Sequence, residues 1–341
     1  MYYEEMEKIA ESPIVLWREL DGKTVLITGA TGLIGATLIN SLVVAKKKRN
    51  LDITIYALVR NLKKAKEIFG RDAEANGLKI IMHEDIQQPI YGLPSIDYII
   101  HGANATASSF FVNYPVETIK TAVDGTINVL ELAREKEVKG LVFLSTMEVY
   151  GYPEKGHRVK EEEIGGLATT KVRNCYPLSK QMCENLCSSY YAEYGVPAKI
   201  VRLTQTFGVG VEYDDKRVFA EFARCAAEKR NIILKTQGLT ERSYLDVSDA
   251  VTAILLVLLK GEAGEAYTAA NEKTYCSIYD MANMVAKEYG IEVVVEEQDI
   301  SATGYADTLY MNLDTTKLSN LGWKAKSGLM DMYRKLIERY R

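Results

Sequence analysis

A tyrosine and a lysine four residues apart carry the clearest chemistry in this sequence. They stand in the segment Tyr176-Pro-Leu-Ser-Lys180, and a spacing of four places both side chains on one face of a helix. A nearby positive charge lowers the pKa of a phenol, so we expect Tyr176 to act as a general acid or base near neutral pH. Upstream, Thr146 and Glu148 follow an apolar run that is typical of a strand. The Thr146 hydroxyl is placed there to hold a substrate alcohol or ketone.

A glycine-rich turn near the start of the chain predicts a site for a dinucleotide. The turn lies between a predicted strand and a predicted helix and reads Thr28-Gly29-Ala30-Thr31-Gly32-Leu33-Ile34-Gly35. Gly29 permits the tight turn, Gly32 lets the backbone approach a pyrophosphate, and Gly35 lets the helix pack close to the strand. The helix N-terminus then faces the negative charge. The residues expected to contact the cofactor here are Gly29, Thr31, Gly32, Leu33, Ile34 and Gly35.

Residues that follow the next strands complete the predicted cofactor groove. Val59 stands where an acidic residue often grips the adenosine ribose, and Arg60 beside it favours a 2′-phosphate. The pair therefore favours NADP over NAD. In the alternative interpretation Arg60 only caps its strand in solvent, and the choice between NADP and NAD stays open. The remaining expected contacts are Asp85 and Ile86 at the adenine ring, Ala103 along the groove and Lys180 at the nicotinamide ribose.

Short apolar runs alternate with longer helical patterns from about Lys23 to Arg202. This order predicts an α/β fold, a Rossmann-like doubly wound parallel sheet with a smaller α/β C-terminal substrate lobe. The predicted strands are 24–28, 53–59, 79–82, 98–101, 141–144 and 199–202, and the predicted helices are 2–11, 33–44, 116–135, 217–229, 248–260 and 277–289. The predicted domains are an N-terminal helical extension at 1–20 that packs on the outside, an NAD(P)-binding Rossmann domain at 21–202 with a returning segment near 240–262, and a substrate-binding lobe at 203–239 and 263–341.

Composition narrows the classes of function. The 341 residues carry a net charge of −4, which argues against a nucleic-acid-binding surface. The basic run 46–49 is expected to be a solvated helix end. An acidic N-terminus and the lack of a long apolar run predict a cytoplasmic protein that does not bind membranes. The five cysteines lack paired spacing and the three histidines lack metal-ligand partners, so we expect neither disulfides nor a metal.

These ordered motifs resemble an extended short-chain dehydrogenase/reductase of the NAD-dependent epimerase/dehydratase group, over nearly all of residues 22–341. The matched positions are the glycine turn, His101-Gly-Ala103, Gly125-Thr126 with Asn128, Ser145-Thr146 with Val149-Tyr-Gly151, Tyr176 and Lys180 with Ser179 and Glu184, Arg242 with Asp246 and Asp249, and Leu321-Gly-Trp323. In such enzymes NAD(P) is tightly bound and recycled. The cofactor oxidises a nucleotide-diphosphate sugar at C4, an altered 4-keto sugar forms, and the hydride usually returns.

The resemblance also implies a role for individual residues. Thr146 would position the C4 oxygen, Tyr176 would exchange its proton, and Lys180 would tune Tyr176. Arg217 and Arg242 would hold the substrate pyrophosphate, an anion suited to forked guanidinium donors. Relatives commonly pair through two long helices, so the resemblance implies a homodimer.

The reaction that follows C4 oxidation depends on a few positions. Family 4,6-dehydratases place an Asp-Glu pair after the threonine, and Met147 in place of the acid disfavours dehydration. UDP-glucuronate decarboxylases keep a glutamate there after a serine, and the segment Arg173-Asn-Cys-Tyr176 resembles theirs. Glu148 has either an acid/base role or only a hydrogen bond to a substrate hydroxyl. The leading expectation is an epimerase, with UDP-glucuronate decarboxylase as the alternative.

Three departures from the family pattern bear on the substrate. Ala122 and Gln205 replace asparagines that relatives often place beside the nicotinamide and the substrate, and Leu309-Tyr310 occupy a stretch that often carries a second phosphate-binding arginine. Two further classes of function stay open. A net NADPH-dependent ketone reductase would consume its cofactor, and a non-catalytic nucleotide-binding protein would not need the catalytic residues that this chain retains.

Overall fold

The computed structural model describes residues 2–70, 73–298 and 308–341 of the chain. Within these ranges the strands are β1 (Lys23–Thr28), β2 (Ile53–Val59), β3 (Leu78–Met82), β4 (Tyr98–His101), β5 (Gly140–Thr146), β6 (Arg158–Val159), β7 (Ala198–Leu203), β8 (Gln205–Phe207), β9 (Ile232–Leu234), β10 (Glu241–Asp246), β11 (Ala266–Ala269), β12 (Asn271–Ser277), β13 (Val293–Val295) and β14 (Tyr310–Leu313). The helices are α1 (Tyr2–Ala10), α2 (Leu33–Arg49), α3 (Leu62–Phe69), α4 (Ser108–Asn113), α5 (Pro115–Glu135), α6 (Cys175–Tyr194), α7 (Val218–Glu228), α8 (Val247–Lys260), α9 (Ile278–Tyr289), α10 (Thr316–Asn320) and α11 (Leu329–Tyr340).

The large sheet consists of seven parallel strands in the order β11-β7-β5-β4-β1-β2-β3. The chain starts in the middle at β1, runs to one edge at β3, and then returns to β4 on the other side of β1. This reversal opens a crevice at the carboxyl ends of β1 and β4, where doubly wound sheets bind their ligands. The predicted Rossmann-like fold class is confirmed.

Helices cover both faces of this sheet because its strands alternate the directions of their side chains. Val25 and Ile27 of β1 pack in a core with α2 and α8. Leu26, which lies between them, packs on the opposite face in a core with α5 and α6. The α6 helix is thereby fixed against the sheet, and its N-terminal half carries the predicted Tyr176 and Lys180.

The strand β11 corrects one part of the predicted domain division. Its residues Ala266–Ala269 pair in parallel with Ile200–Leu203 of β7 and form an edge of the large sheet, although the sequence assigned 263–341 to the substrate lobe. The physical reason is that the backbone of β7 would otherwise lie at the sheet edge with its polar groups unpaired. The rest of the domain division stays a prediction.

The helix α8 is apolar on nearly all sides and buried, as expected of a helix enclosed by other elements. It packs against β5, β7, α2 and α1. Met6 and Ile9 of α1 are almost completely buried in this core. Glu5 accepts hydrogen bonds from Lys335 on α11 at 2.9 Å and from Ser248 at the start of α8 at 3.2 Å. The N-terminal helix therefore covers α8 and ties it to α11.

The basic run at the end of α2 holds the N-terminal segment in place. Lys48 forms ion pairs with Glu7 at 3.0 Å and Glu11 at 2.5 Å. Arg49 Nε donates to the backbone oxygen of Ala10 at 2.6 Å, and its guanidinium lies 5.6 Å from the ring centroid of Trp17. The run ends α2 as expected, and two of its four residues in addition hold the N-terminal segment.

The smaller lobe contains a sheet of order β12-β10-β14-β6, in which β8 also pairs with β10, and the parallel pair β13-β9. The helices α7, α9 and α11 enclose a separate core that includes Phe207, Phe219 and Tyr244. Among the residues that the structure describes, no helix is both long and apolar enough to cross a membrane.

Candidate active site

The glycine turn after β1 is packed too closely to admit side chains at two positions. Gly29 has a φ of +68°, and a Cβ atom there would lie 2.6 Å from the carbonyl carbon and oxygen of Gly102. A Cβ atom on Gly35 would lie 2.3 Å from the oxygen of Gly29. Contacts below 3.0 Å with backbone force a displacement. The turn can therefore approach both β4 and α2 only with glycine at these positions.

The third glycine and the start of α2 leave room for an anion. A Cβ atom on Gly32 would meet only the oxygen of Gly29, at an ordinary 3.4 Å, so the protein itself does not demand glycine there. Gly32 caps α2 without a side-chain hydrogen bond, and the next residues, Leu33 and Ile34, form the first helical turn. Thr31 lies half-buried before them. These residues fit a pyrophosphate held at a helix N-terminus, and its binding here stays a prediction.

A buried hydrogen-bond network joins this turn to the end of β4. Thr28 Oγ1 lies 2.7 Å from His101 Nδ1 and accepts the backbone N–H of Ala103 at 3.1 Å. His101 Nε2 lies 3.2 Å from Thr126 Oγ1 on α5. Burial, with a smaller contribution from Lys180, lowers the pKa of His101 to about 3. The neutral histidine thus fixes the predicted groove residue Ala103 relative to the glycine turn.

The predicted adenine-side residues lie at the ends of β2 and β3. Arg60 directly follows β2 and is exposed. Asp85 and Ile86 are half-buried in the turn after β3. Asn128 Nδ2 on α5 donates to the backbone oxygen of Ile86 at 3.0 Å, and a Cβ atom on Gly125 would lie 3.0 Å from the Ile86 side chain. The helix α5 therefore sets the position of this turn.

The predicted catalytic residues come together where β5 ends against α6. Thr146 is the last residue of β5, and its hydroxyl accepts the backbone N–H of Glu148 at 3.2 Å. The Thr146 side chain lies close enough to Tyr176 to lower the pKa of the phenol. Lys180 lies one helical turn further along α6, and all but a small part of Thr146, Tyr176 and Lys180 is buried. The structure therefore gathers Thr146, Tyr176 and Lys180 into one cluster, with Glu148 beside it.

The acidity of Tyr176 differs from the expectation. Burial and the charge of Glu148 raise the pKa of Tyr176, and these effects outweigh the nearby Thr146 side chain and the charge of Arg173, which lower it. Lys180 is not among the groups that dominate this shift; its Nζ donates to the oxygen of Leu144 at 2.8 Å and lies 6.0 Å from the Tyr176 ring centroid. A base at Tyr176 therefore needs a further positive charge close to the phenol.

The ammonium group of Lys180 is itself deeply buried. Its Nζ lies 4.4 Å from the ring centroid of Phe143, beside the hydrogen bond to Leu144. Burial lowers the pKa of Lys180 to about 8. The lysine is therefore close to losing its charge near neutral pH, which a hydroxyl partner such as a ribose would oppose.

An aromatic ring that the sequence reasoning missed covers Tyr176. Phe111 on α4 stacks on the Tyr176 ring with a centroid distance of 4.2 Å and an interplanar angle of 7°. Cys175 Sγ donates to the backbone oxygen of Phe111 at 3.3 Å, which fixes α4 against α6. The sequence signal was a Phe110-Phe111 pair in an otherwise polar stretch after β4.

An ion pair between Arg173 and Glu148 lies beside this ring. Arg173 Nη1 lies 3.1 Å from Glu148 Oε2, and the arginine and glutamate side chains are 10% and 24% exposed. The guanidinium carbon of Arg173 lies 5.1 Å from the Phe111 ring centroid. The ion pair therefore fixes Glu148 next to the catalytic cluster, and Arg173 is a second residue that the sequence reasoning did not place in the site.

The end of β5 is fixed by a second, more deeply buried ion pair. Ser145 Oγ donates to Glu184 Oε1 at 2.5 Å, and Arg202 Nη2 lies 2.8 Å from Glu184 Oε2. Arg202 Nη1 also donates to Tyr150 Oη at 3.2 Å. These bonds connect β5, α6 and β7 around the residue that precedes Thr146. Only the resemblance had drawn attention to Glu184.

The predicted pyrophosphate ligand Arg217 already has an internal partner. It directly precedes α7, and its guanidinium forms an ion pair with Asp215 in which Nη2 lies 2.5 Å from Oδ2. The guanidinium carbon also lies 4.8 Å from the Phe219 ring centroid. The side chain is half-buried, so it keeps an accessible face.

Both predicted arginines contact one aromatic cluster. Arg242 Nε donates to Tyr244 Oη at 3.4 Å. Phe207 lies edge-on to Tyr244, with ring centroids 6.0 Å apart, and stacks on Phe219, with ring centroids 4.7 Å apart. Arg217 contacts this aromatic cluster at Phe219, and Arg242 contacts it at Tyr244.

Thr204 joins the substrate-side strands to the catalytic segment. Its hydroxyl lies 2.6 Å from the oxygen of Ser243 on β10 and 3.3 Å from Met147 Sδ. Gln205, the next residue, is half-buried on β8 and pairs with Tyr244. Met147 is 5% exposed and belongs to a buried cluster with β14. Although Met147 stands between Thr146 and Glu148 in the sequence, its side chain therefore packs in the core.

Comparisons with known proteins agree with this geometry. The model of the NAD dependent epimerase/dehydratase family matches residues 25–271. UDP-glucuronic acid decarboxylase 1 of Xenopus tropicalis is 28% identical over 292 residues, which cover 84% of this chain and 66% of that protein. The chain thus spans about two thirds of the length of the curated relatives that it matches.

Two solved structures share the fold. The structure of UDP-glucose 4-epimerase from Thermotoga maritima with UDP-glucose has a TM-score of 0.78 and 22% identity, covering 93% of this chain and 98% of its own. The structure of DesIV, a dTDP-glucose 4,6-dehydratase from Streptomyces venezuelae with NAD bound, has a TM-score of 0.77 and 21% identity, covering 93% and 97%. With the family model matched over most of its length, this chain belongs to the NAD-dependent epimerase/dehydratase family.

Proposed function

We propose that this chain is a nucleotide-sugar epimerase that passes through a transient 4-keto sugar and uses NAD(P) without net consumption. The observation that carries the proposal is the cluster of Thr146, Tyr176 and Lys180, which are buried together where β5 ends against α6. The glycine turn after β1 fits a pyrophosphate at the same edge of the sheet.

The protein's part in the reaction is to position an alcohol and to move one proton. A bound oxidised nicotinamide supplies the hydride acceptor and a positive charge. Thr146 holds the C4 oxygen of the sugar, and Tyr176 Oη takes the proton from that oxygen when the C4 hydride leaves. Tyr176 returns the proton when the hydride returns. Lys180 fixes the ribose, and Arg217 and Arg242 hold the substrate pyrophosphate between them.

Decarboxylation of UDP-glucuronate is the second candidate, and the curated relatives favour it. Several of them, including the Xenopus protein and UDP-glucuronic acid decarboxylase 6 of Arabidopsis thaliana, carry that name. A 4-keto uronate loses carbon dioxide without an added acid, and Glu148 is engaged here in an ion pair with Arg173. Dehydration is disfavoured, because the core side chain Met147 offers no proton at the position where dehydratases carry an acid.

The preferred nucleotide is proposed to be NADP rather than NAD. The exposed Arg60 at the end of β2 supports this choice, since a guanidinium there meets a 2′-phosphate as a counter-charge. Calorimetric titration with both cofactors tests it. NADP should bind at least tenfold more tightly than NAD, and Arg60→Ala should remove the difference; equal affinities in the parent protein would contradict the proposal.

The proposed assembly is a homodimer in which α5 and α6 of two copies form a four-helix contact. These helices expose apolar side chains that a partner copy would cover. On α5, Val116 is 65% exposed and Ile119 is 43% exposed, and on α6, Met182 is 51% exposed and Tyr194 is 50% exposed. Sedimentation of the parent chain and of Ile119→Glu tests the assembly, since a charge at the contact should yield monomers.

Product analysis tests the proposed reaction. The protein is incubated without added cofactor with UDP-glucose, UDP-glucuronate, UDP-N-acetylglucosamine or TDP-glucose, and products are followed by mass and proton NMR. An isomer of unchanged mass supports the epimerase, and carbon dioxide from UDP-glucuronate supports the decarboxylase. Product that forms only as added NADPH is consumed would show a reductase and refute both.

A further inference from the structure

Arg173 is a buried charge that the reaction outlined above does not use. It lies in the short turn immediately before α6, three residues ahead of Tyr176. Its side chain is nine-tenths buried. Burial of a guanidinium is costly unless it is paired, and its partner here is the carboxylate of Glu148, with Nη1–Oε2 and Nη2–Oε1 distances of 3.1 and 3.4 Å. This two-pronged contact fixes the carboxylate in direction as well as in place.

Arg173 and Glu148 also face the catalytic tyrosine. Tyr176 stacks on Phe111 at 4.2 Å, and the Arg173 guanidinium carbon lies 5.1 Å from the same phenylalanine ring. The charged and titratable groups around Tyr176 include Glu148 after β5, Arg173 before α6, and Lys180 and Cys183 on α6. Cys175 packs in the same cluster as the Tyr176 ring, and α4 contributes the apolar Phe111.

The effects of the two charges on the phenol oppose each other. The negative charge of Glu148 disfavours a phenolate nearby, and the positive charge of Arg173 favours one. The pKa of Tyr176 is raised by Glu148 and lowered by Arg173 in this arrangement. A glutamate beside the catalytic base is therefore tolerable only while its charge is offset.

We propose that Arg173 is a positioning residue that holds the Glu148 carboxylate in the site and offsets its charge, so that Tyr176 can give up its proton. The role deepens the proposed function and rests on it. It makes Arg173 and Glu148 one functional unit, because Glu148 without Arg173 would place a negative charge beside Tyr176 without this counter-charge. An arginine with a merely structural role would stabilise the fold without coupling Glu148 to the proton transfer at Tyr176.

The test is the first step of the reaction, followed at 340 nm in a single turnover. Enzyme loaded with oxidised NAD(P) is mixed with the nucleotide sugar that it converts, and the rate at which reduced nicotinamide forms is measured against pH. The rate should rise with pH as Tyr176 becomes a base. In Arg173→Gln this rising limb should move up by about one pH unit, which makes sugar oxidation about tenfold slower below the limb.

Paired substitutions separate charge from structure. Glu148→Gln should move the limb to lower pH, and the double variant Arg173→Gln/Glu148→Gln should return it close to that of the parent enzyme. Arg334→Gln is the matched control, because Arg334 forms an exposed ion pair with Glu288 far along the chain on α11, and its limb should not move. If Arg173→Gln does not fold, the test is the shift of the rising limb to lower pH in Glu148→Gln.

The outcomes distinguish the inference from the proposed function. Reduced nicotinamide in the parent enzyme with opposite limb shifts in the two single variants supports the role of Arg173. The same signal with an unmoved limb in both variants overturns that role and leaves the proposed function intact. If no reduced nicotinamide forms with any nucleotide sugar that the protein binds, the proposed function is overturned, and the role of Arg173 with it.

Discussion

The buried ion pair between Glu184 and Arg202 permits a quantitative prediction about how the end of β5 is held. The two side chains are only 9% and 6% exposed. Arg202 donates to both carboxylate oxygens of Glu184, to Tyr150 Oη and to the backbone oxygen of Glu161 at 2.6 Å. Removing either charge leaves the other buried without its counter-ion, and such a change costs about 3–5 kcal/mol.

We therefore expect Arg202→Met to lower the free energy of unfolding by about 3–5 kcal/mol. The remaining Glu184 carboxylate would keep only the hydroxyl of Ser145 as a partner among those described above. Replacing both residues, in Glu184→Met/Arg202→Met, removes both charges and should cost less than either single change. A smaller loss in the double variant follows because no unpaired charge is left in the core.

Urea unfolding followed by circular dichroism measures Arg202→Met, Glu184→Met and the double variant. The control is Arg334→Met, which breaks an ion pair whose side chains are 53% and 41% exposed and should cost less than about 1 kcal/mol. A loss below 1 kcal/mol in Arg202→Met, or a double variant that loses as much as the two single variants combined, would refute the reasoning about this buried pair.

Three further predictions concern the cofactor turn, the lysine and the N-terminal helix. Gly35→Ala places a Cβ atom 2.3 Å from the oxygen of Gly29 and should weaken NAD(P) binding at least tenfold by calorimetry. In the control Gly166→Ala the new Cβ atom has nothing within 4 Å, so this variant should bind NAD(P) as the parent does. Equal affinities in all three proteins would contradict the assignment of the glycine turn to the cofactor. Lys180→Met should slow turnover by about a hundredfold or more yet unfold no more easily at pH 7, because burial lowers the pKa of Lys180 to about 8. The unfolded lysine titrates near pH 10.4, so the unfolded state binds more protons between these two pH values. The stability of the parent relative to Lys180→Met should therefore rise by about 2.5 kcal/mol from pH 8 to 10.4, and a flat difference would contradict this prediction. Glu5→Gln weakens the contact of α1 with Lys335 on α11 and should lower the free energy of unfolding by about 1–3 kcal/mol. It should also expose residues 2–20 to limited proteolysis. Unchanged protection would mean that the contact does not hold the helix.

The periodic elements of the large sheet could be predicted from the sequence because local patterns dictate them. The strands Ile53–Val59 and Tyr98–His101 coincide with the predicted bounds, since each is a buried β-branched run with clear ends. The strand β5 is longer than predicted, because Ser145 and Thr146 pair with Arg202 and Leu203 of β7. Polar residues at a strand end gain this pairing only from the tertiary fold.

Long-range pairing also explains what the sequence did not predict. The edge strand β11 and the ion pairs of Lys48 join segments that are distant in the chain, and no local pattern indicates such partners. The contacts of Phe111 and Arg173 with the catalytic cluster likewise depend on how α4 packs against α6. The raised pKa of Tyr176 follows from burial, which a four-residue spacing does not report. Residue types and order therefore predicted the cluster, and packing decided its electrostatics.

The central claim is that a hydride leaves C4 of the sugar and returns to the same product molecule. The most direct test is a substrate that carries deuterium at C4, supplied to the enzyme without added cofactor and analysed by mass and NMR after complete turnover. The account predicts a product that retains the deuterium and a slower reaction than with the unlabelled sugar. Tyr176→Phe should form no product. Product in which the deuterium has been lost to solvent or to free NADPH would contradict the account.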